Sequence, residues 1–290
     1  MTPSEAPVGR LMVCPTPIGN LEDVTLRVLS ALGEADVVAC EDTRHTAGLL
    51  SRHGISARLV SLHEHNERAR AAELVAQIRA GATVALVSDA GTPLVSDPGF
   101  ALVRECLAAG LALEVLPGPS AVLTALVASG LPVERWRFGG FLPRARGELV
   151  ELLTGAAETL VAFESPRRLA ATLELLAADD PQRPVAVCRE LTKLHEEVRR
   201  GSAAELAEHY RAAPARGEVV LVVGGADAQR SSMRDALAAL RDLIDAGAKA
   251  RPAAASVAKL TGLRANELYR EVMRDEHRGS ARQEQATTTR

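Results

Sequence analysis

The chain has 290 residues, 47% of them hydrophobic and 24% charged, with a net charge of −3. That length suits two domains with material left over, the composition excludes wholesale disorder, and the charge offers no global basic field for nucleic acid. Aromatics make up only 2%, so the core must be built from Ala, Leu and Val, and rows of exposed rings that stack single-stranded bases are not expected.

Short apolar runs alternate with helical patterns in the first half. Strands are predicted at Arg10–Cys14, Val37–Cys40, Thr83–Ser88 and Leu113–Leu116, and helices at Val24–Gly33, Ala69–Ala80, Gly99–Ala109 and Ser120–Ser129. This rhythm predicts a mostly parallel, doubly wound sheet. Around Gly130-Leu131-Pro132 it resets, with strands at Arg135–Phe141, Thr159–Glu164, Pro184–Arg189 and Glu218–Val223 and helices at Gly147–Leu153 and Arg167–Ala177. The last strand is apolar throughout and should be central. Ala226–Ser232 reads as a linker, followed by a helix over Met233–Asp245 and then by helices over Ala253–Leu260 and Arg264–Arg274 around Gly262, a helix-turn-helix-like spacing. The expected division is therefore an N-terminal α/β domain over 1–133, a second over 134–226, a helical piece over 233–278 and a disordered tail over 279–290.

Cys14, Cys40, Cys106 and Cys188 are scattered without a CxxC pair, which argues against a zinc site or a disulfide framework and for a reduced, cytoplasmic protein. Met1–Arg10 has no apolar run, and the longest uncharged stretch, Val115–Val133, is broken by prolines and glycines. Neither a signal peptide nor a membrane span is expected. His45, His53, His63 and His65 lack an HExxH arrangement, so no metal is expected.

Four strand-exit loops are rich in Gly, Pro or charged residues: Pro15–Asp23, Glu41–Thr46, Asp89–Gly99 and Pro117–Ala121. Glycine lets a ligand approach the backbone, and proline fixes the turn that presents the amides. Four such loops at the carboxyl edge of one sheet imply a preformed small-molecule pocket. Neither GxxxxGK[ST] nor GxGxxG with a downstream acid occurs, so the ligand reads as neutral or zwitterionic rather than a nucleotide triphosphate.

These loops, with Gly-Phe-Leu-Pro-Arg at 140–144, Phe-Glu-Ser-Pro-Arg-Arg-Leu at 163–169, Arg-Glu-Leu-Thr-Lys at 189–193 and the block Gly217–Gly225, occur in the order of a known pattern. The pattern resembles the small-subunit ribosomal RNA 2′-O-ribose methyltransferases, a branch of the tetrapyrrole methylase superfamily, from about Leu11 to Met273. The resemblance implies two α/β domains of the tetrapyrrole methylase type, S-adenosylmethionine held in the cleft between them, and a homodimer. It further implies methylation of a decoding-region cytidine of 16S rRNA within the small ribosomal subunit. Carried over by position, Pro17, Ile18, Gly19, Asp89, Gly91, Thr92, Pro93, Val95, Ser120 and Ala121 would line the cofactor from the first domain. Phe163, Glu164, Glu190, Leu191, Glu218 and Val219 would close it from the second. Where the tetrapyrrole-modifying branch reads Gly-Asp-Pro, this chain has Gly91-Thr92-Pro93, which favours RNA. The alternatives are a tetrapyrrole or corrinoid C-methyltransferase and a non-catalytic ribosome-assembly protein.

Methyl transfer to a hydroxyl requires alignment of donor and acceptor and a group to take the proton. Candidates are Glu41, Asp42, Arg44, Glu164, Glu190 and Lys193, each acid having a salt-bridge alternative with a nearby base, and no single base is singled out. For RNA, Arg144, Arg146, Arg167 and Arg168 fall at the expected mouth of the cleft. Arg270, Arg274, Arg278 and Arg282 recur every four residues, which on one helix would form a stripe eased by Glu267, Glu271 and Asp275.

Overall fold

The computed structural model describes residues 9–155, 157–226 and 228–274, and for 228–232 the backbone alone. The expected tail and Asp275, Arg278 and Arg282 lie outside these residues. The first sheet contains β1 (Arg10–Val13), β2 (Val37–Cys40), β3 (Leu59–Ser61), β4 (Thr83–Leu86) and β5 (Ala112–Val115) in the order β3-β2-β4-β1-β5. Every pairing is parallel. The helices α1 (Leu26–Glu34), α2 (Thr43–Arg52), α3 (Glu67–Arg79) and α4 (Phe100–Ala108) connect these strands. Successive side chains of a strand point to opposite faces, so Leu11 and Val13 join Leu74, Ile78 and Leu102 in one core while Met12 joins Val28 and Leu32 in another. Burial on both faces explains why the inner strands read as unbroken apolar runs.

Neither α2 nor β3 is among the predicted elements. The buried face of α2 is only Thr46, Leu49 and Leu50, too sparse to set a helical period, and a strand of three residues sets none at all. Asp42, read above as part of an exit loop, is the N-cap of α2, its carboxylate accepting the Arg44 N–H at 2.8 Å.

The second sheet is β6 (Trp136–Phe141), β7 (Thr159–Glu164), β10 (Val219–Val223), β8 (Pro184–Arg189) and β9 (Glu197–Ser202), in that spatial order. Its central β10 is wholly buried, as expected. The sheet is mixed: β6 and β7 are parallel, whereas β10 runs antiparallel to both neighbours and β8 runs antiparallel to β9. The unpredicted β9 reads Glu-Val-Arg-Arg-Gly-Ser and sits at the edge, where charge is tolerated and apolar alternation is not required. The helix that follows, α8 (Ala203–Ala212), carries a capping box between Ser202 and Glu205, a spacing visible in the sequence. The connecting helices are α6 (Arg146–Thr154) and α7 (Leu169–Asp179).

The helix α5 (Ala121–Ser129) follows the first sheet in the chain but packs on the second. Val122, Ala125 and Leu126 share a core with Val161, Ala186, Cys188, Val220 and Val222, and Ile18 from the β1 loop joins them. Both sheets consequently belong to one compact unit. A second unit contains residues 154–158 and the C-terminal helices: α9 (Ala228–Asp245), α10 (Ala250–Thr261) and a helix over 265–274, around a core of Ala236, Leu240, Ala254, Val257 and Leu268. Since α9 begins at Ala228, the expected linker is shorter than 226–232. Gly262 ends α10 in the left-handed conformation at φ 76°. Among the described residues no helix is long and apolar enough to cross a membrane.

Candidate functional site

Parallel strands bring the loops after β1, β2, β4 and β5 to one edge of the first sheet. A cavity of about 830 Å³ opens there, lined by Ile18 after β1, by Asp89–Thr92 and Val95–Asp97 after β4, and by Ser120–Val122 at the start of α5. The facing wall comes from the second sheet: Phe141, Leu142 and Arg144 at the end of β6 and just beyond it, Phe163–Arg168 at the end of β7 and in the loop that follows, Cys188, Glu190 and Leu191 around the end of β8, and Gly217–Val220 entering β10. The volume is in the range of small-molecule and cofactor sites.

The first wall is held by short bonds between loops. Thr16 and Gly91 exchange backbone hydrogen bonds of 2.9 and 3.0 Å, and the buried Thr16 hydroxyl donates to the Ser88 carbonyl at 2.9 Å. The Thr92 hydroxyl donates to the Pro119 carbonyl at 3.1 Å, tying the β4 loop to the β5 loop. An ionised aspartate at 92 would set two acceptors together, so the departure from Gly-Asp-Pro has a local structural consequence. Gly19 serves the junction between the walls: a Cβ there would lie 2.5 Å from Lys193 Cγ and 2.7 Å from Thr192 Oγ1, and the neighbouring Asn20 N–H donates to that hydroxyl at 3.0 Å.

Among the described residues, the non-glycine positions with positive φ are Leu94 (74°), Ser96 (71°), Glu190 (51°) and Thr192 (65°). All four fall in two loops that reach the cavity. Each such residue costs about 1–2 kcal/mol, and strain of this kind persists where surrounding structure holds a functional loop in place.

Charge is divided unevenly between the walls. Asp97 lines the cavity with no hydrogen-bond or ion-pair partner among the described residues. Burial, then the charges of Glu41 and Asp89, push its carboxyl up to about 7. Glu41 is raised in turn by burial and by Asp89, with His63 opposing and Asp42 adding to the effect. Across the cavity, Glu190 behaves in the opposite way. Its carboxylate accepts the Glu218 N–H at 2.9 Å and the Lys193 ammonium at 3.0 Å, and these bonds hold it below the ordinary glutamate range. Partial burial opposes the charge of Lys193, but its bonds to Glu218 (2.9 Å) and Glu190 outweigh this and raise its affinity for the proton. Gly217 permits the arrangement, because a Cβ there would overlap the Glu190 carboxylate.

Of the residues expected at the cofactor, Ile18, Asp89, Gly91, Thr92, Val95, Ser120, Ala121, Phe163, Glu164, Glu190, Leu191, Glu218 and Val219 line the cavity, whereas Pro17, Gly19 and Pro93 do not. Glu164 is buried and engaged, accepting from Thr172 Oγ1 at 2.5 Å and Ser165 N at 2.7 Å, with Arg168 at 3.5 Å. Its ion-pair partner is thus Arg168, four residues further along the chain. Of the proton-handling candidates only Glu164 and Glu190 line the cavity. Glu41 acts on Asp97 through its charge, Asp42 and Arg44 pair at 3.8 Å at the start of α2, and Lys193 pairs with Glu190. Arg144, Arg167 and Arg168 line the cavity and Arg146 does not; Arg270 and Arg274 belong to the second unit. Asp97 was missed in the sequence because one Asp in a Ser-Asp-Pro-Gly loop reads as a turn residue. Cys188 reaches the cavity with its thiol pushed up to about 11 by burial, and so is no nucleophile there. Among the described residues no group of three or more His, Cys, Asp or Glu could hold a metal ion.

Residues 10–207 match the family described as Tetrapyrrole (Corrin/Porphyrin) Methylases. A protein of Mesorhizobium japonicum named "Ribosomal RNA small subunit methyltransferase I" is 47% identical over 268 residues, covering 91% of each chain. One of the same name from Escherichia coli O157:H7 is 44% identical, over 90% of this chain and 94% of that one. Among solved structures, uroporphyrin-III-C-methyltransferase from Thermus thermophilus superposes with a TM-score of 0.55 at 26% identity, over 78% of this chain and 97% of that one. Diphthine synthase superposes with a TM-score of 0.59 at 17% identity, over 77% and 92%, a likeness of fold.

Proposed function

The chain belongs to the tetrapyrrole methylases and, within them, to the ribosomal RNA small subunit methyltransferase I family, and from that membership we propose that it 2′-O-methylates a decoding-region cytidine of 16S rRNA with S-adenosylmethionine as donor. The observation that carries the reading is the cavity: its volume is in the small-molecule range, with Asp89 and Asp97 on the first-sheet wall and, on the other, Arg144, Arg167 and Arg168 beside Glu164, Glu190 and Glu218. The donor is cationic at sulfur and zwitterionic at its amino-acid end, which fits a cavity offering apolar Ile18, Leu191 and Val219 beside Asp89 and Glu218. Those residues, with Gly91, Thr92, Val95, Ser120, Ala121, Phe163 and Glu190, would hold it. When bound, it supplies an electrophilic methyl group whose sulfur leaves as a neutral thioether.

The protein's own work is to orient the ribose hydroxyl and accept its proton. Asp97 is suited to this, since its carboxyl titrates at about 7 and carries no other bond, close to the optimum for a base working at neutral pH. Glu190 is ill suited, because Lys193 and Glu218 N both donate to its Oε1 and hold its affinity for a proton below the ordinary glutamate range. The same family resemblance supports action in the cytoplasm and a homodimer as the working form, the latter readable by light scattering. The test of the reading is mass spectrometry of rRNA nucleosides from cells lacking the protein, alongside calorimetry of the purified chain with S-adenosylmethionine. Loss of one ribose methyl with base methylation intact is expected. Loss of a base methyl, or methyl transfer to a corrinoid precursor in place of RNA, overturns it.

A further inference from the structure

The chain contains four phenylalanines, and three of them gather on the second sheet, Phe141 and Phe163 lining the cavity and Phe138 packed against the core behind them. The Phe163 ring centroid lies 5.1 Å from those of both Phe138 and Phe141, at interplanar angles of 74° and 55°. In an unbroken strand, residues three apart point to opposite faces, so Phe138 and Phe141 should not share a neighbour. The β6–β7 register shifts between them, and Gly140 within that interval adopts φ 63°. Such a bulge re-aims the side chain that follows it. Phe141 is thereby brought to Phe163, yet it remains 68% exposed on the cavity rim.

Two guanidinium groups line the same cavity as this ring. Arg144 and Arg167 are exposed, line the same cavity and have no ion pair or side-chain hydrogen bond among the described residues. Arg168 differs: it donates to the Leu142 and Pro143 carbonyls at 3.0 and 2.6 Å and pairs with Glu164. It fixes the segment from which Arg144 projects, leaving Arg144 and Arg167 available.

We infer that Phe141 is a stacking platform for one unstacked base of single-stranded RNA, with Arg144 and Arg167 taking phosphates on either side of it. An exposed ring beside unpaired cations is the chemistry that holds a splayed nucleotide, and arginine suits phosphate in particular. Asp89 and Asp97 on the opposite wall repel phosphate, so the RNA backbone must follow the arginine wall while the ribose faces the carboxylates. The inference rests on the functional reading above and adds how the nucleotide is positioned. As every base has a π-face, the platform positions without reading identity. A flat acidic macrocycle could use the same ring and cations, so it enters the test as the competing ligand.

The experiment uses the full chain and a short single-stranded RNA carrying one pyrrolo-cytidine, whose fluorescence is quenched on stacking, with methylation of isolated small subunits measured on the same preparations. Wild type, F141W and F141Y should quench the probe; F141A and F141L should not. Affinity should fall roughly 5- to 150-fold in F141A. The R144Q/R167Q double variant should reduce the slope of log affinity against log salt by about 1.4, at about 0.7 per single-strand phosphate contact. An exposed ring contributes little to stability, so unfolding midpoints should be unchanged, and F141L keeps the apolar contact with Phe163 should F141A fold poorly. Wild type that methylates subunits while F141A and F141L retain quenching, affinity and rate overturns the platform alone. Wild type that neither binds the RNA nor methylates subunits, yet binds uroporphyrin III through Phe141, overturns both the platform and the functional reading.

Discussion

The two walls of the cavity are built by different means. The first is mainly backbone: exit loops of a parallel sheet, pinned by Thr16–Gly91 and Thr92–Pro119 bonds, with Asp89 and Asp97 as its charged side chains. The second is mainly side chain: rings and guanidinium groups presented by a bulged strand and the loop after β7. The contrast divides the labour. A wall of fixed loops and carboxylates suits a small cationic donor and proton removal, while a wall of rings and arginines suits a polyanion with bases.

The contrast is broken most severely at Asp97. Exchange for Asn should lower the methyl-transfer rate about 10²- to 10⁴-fold, the usual contribution of a positioned base, with S-adenosylmethionine affinity kept. The wild-type rate should rise with pH through about 7, as the carboxyl ionises. Glu41→Gln should move that midpoint to lower pH, because one of the charges opposing ionisation is gone. Stability supplies a readout free of activity. The folded state holds this proton more tightly than an unfolded chain with its ordinary value of 3.8, so the native state loses stability as pH rises from there to about 7. D97N should therefore be more stable than wild type at pH 8 by about 2 kcal/mol, half the full linkage value because solvent reaches the group, and equal to it in acid. An unchanged pH–rate profile in D97N would remove the base assignment.

A smaller effect is expected at the backbone of the same wall. Gly91 has φ 78°, and a Cβ there would lie 3.4 Å from Ile18 Cγ2. Gly91→Val places a β-branched residue in the left-handed region, at about 1–2 kcal/mol, and puts bulk where the donor would meet the loop. Calorimetry should show roughly tenfold weaker binding or more, with circular dichroism unchanged. Undiminished affinity would take the loop out of the site.

The smallest effect lies outside both walls. Arg274 pairs with Glu271 at 2.8 Å, and Arg270 donates to the Asn266 carbonyl, so each is partly engaged already. We propose that they add phosphate contacts. R270Q/R274Q should weaken small-subunit binding several-fold at low salt, and the gap should narrow as salt rises. Equal binding at every salt concentration would leave the RNA to the second wall, Arg144 and Arg167 above all.

Legibility differs between the walls as their construction does. The loops that hold Gly91, Thr92, Ser120 and Ala121 were legible because glycine, proline and cap residues act on their own backbone and the strand count says where each loop must emerge, while the choice of those residues came from the family resemblance. The charged edge strand β9 and the short pair α2 and β3 were not legible, since an edge needs no apolar alternation and three residues carry no period. The composition argued against rows of stacking rings, but a single ring re-aimed by a bulge leaves no mark on composition.

By itself, then, the amino-acid sequence determined the alternating α/β fold, the wholly apolar central strand β10, the Gly/Pro loops of the first wall and the C-terminal helices. These follow from local periodicity and turn chemistry. Only the tertiary structure decided that α5 packs on the second sheet, that Asp97 faces Glu41 and Asp89, and that a bulge at Gly140 gathers three of the four phenylalanines beside two unpaired arginines. The physical reason is range. A propensity acts over a turn of chain, whereas a shifted proton affinity or a shared ring contact depends on groups brought together from distant segments by the packing of two sheets.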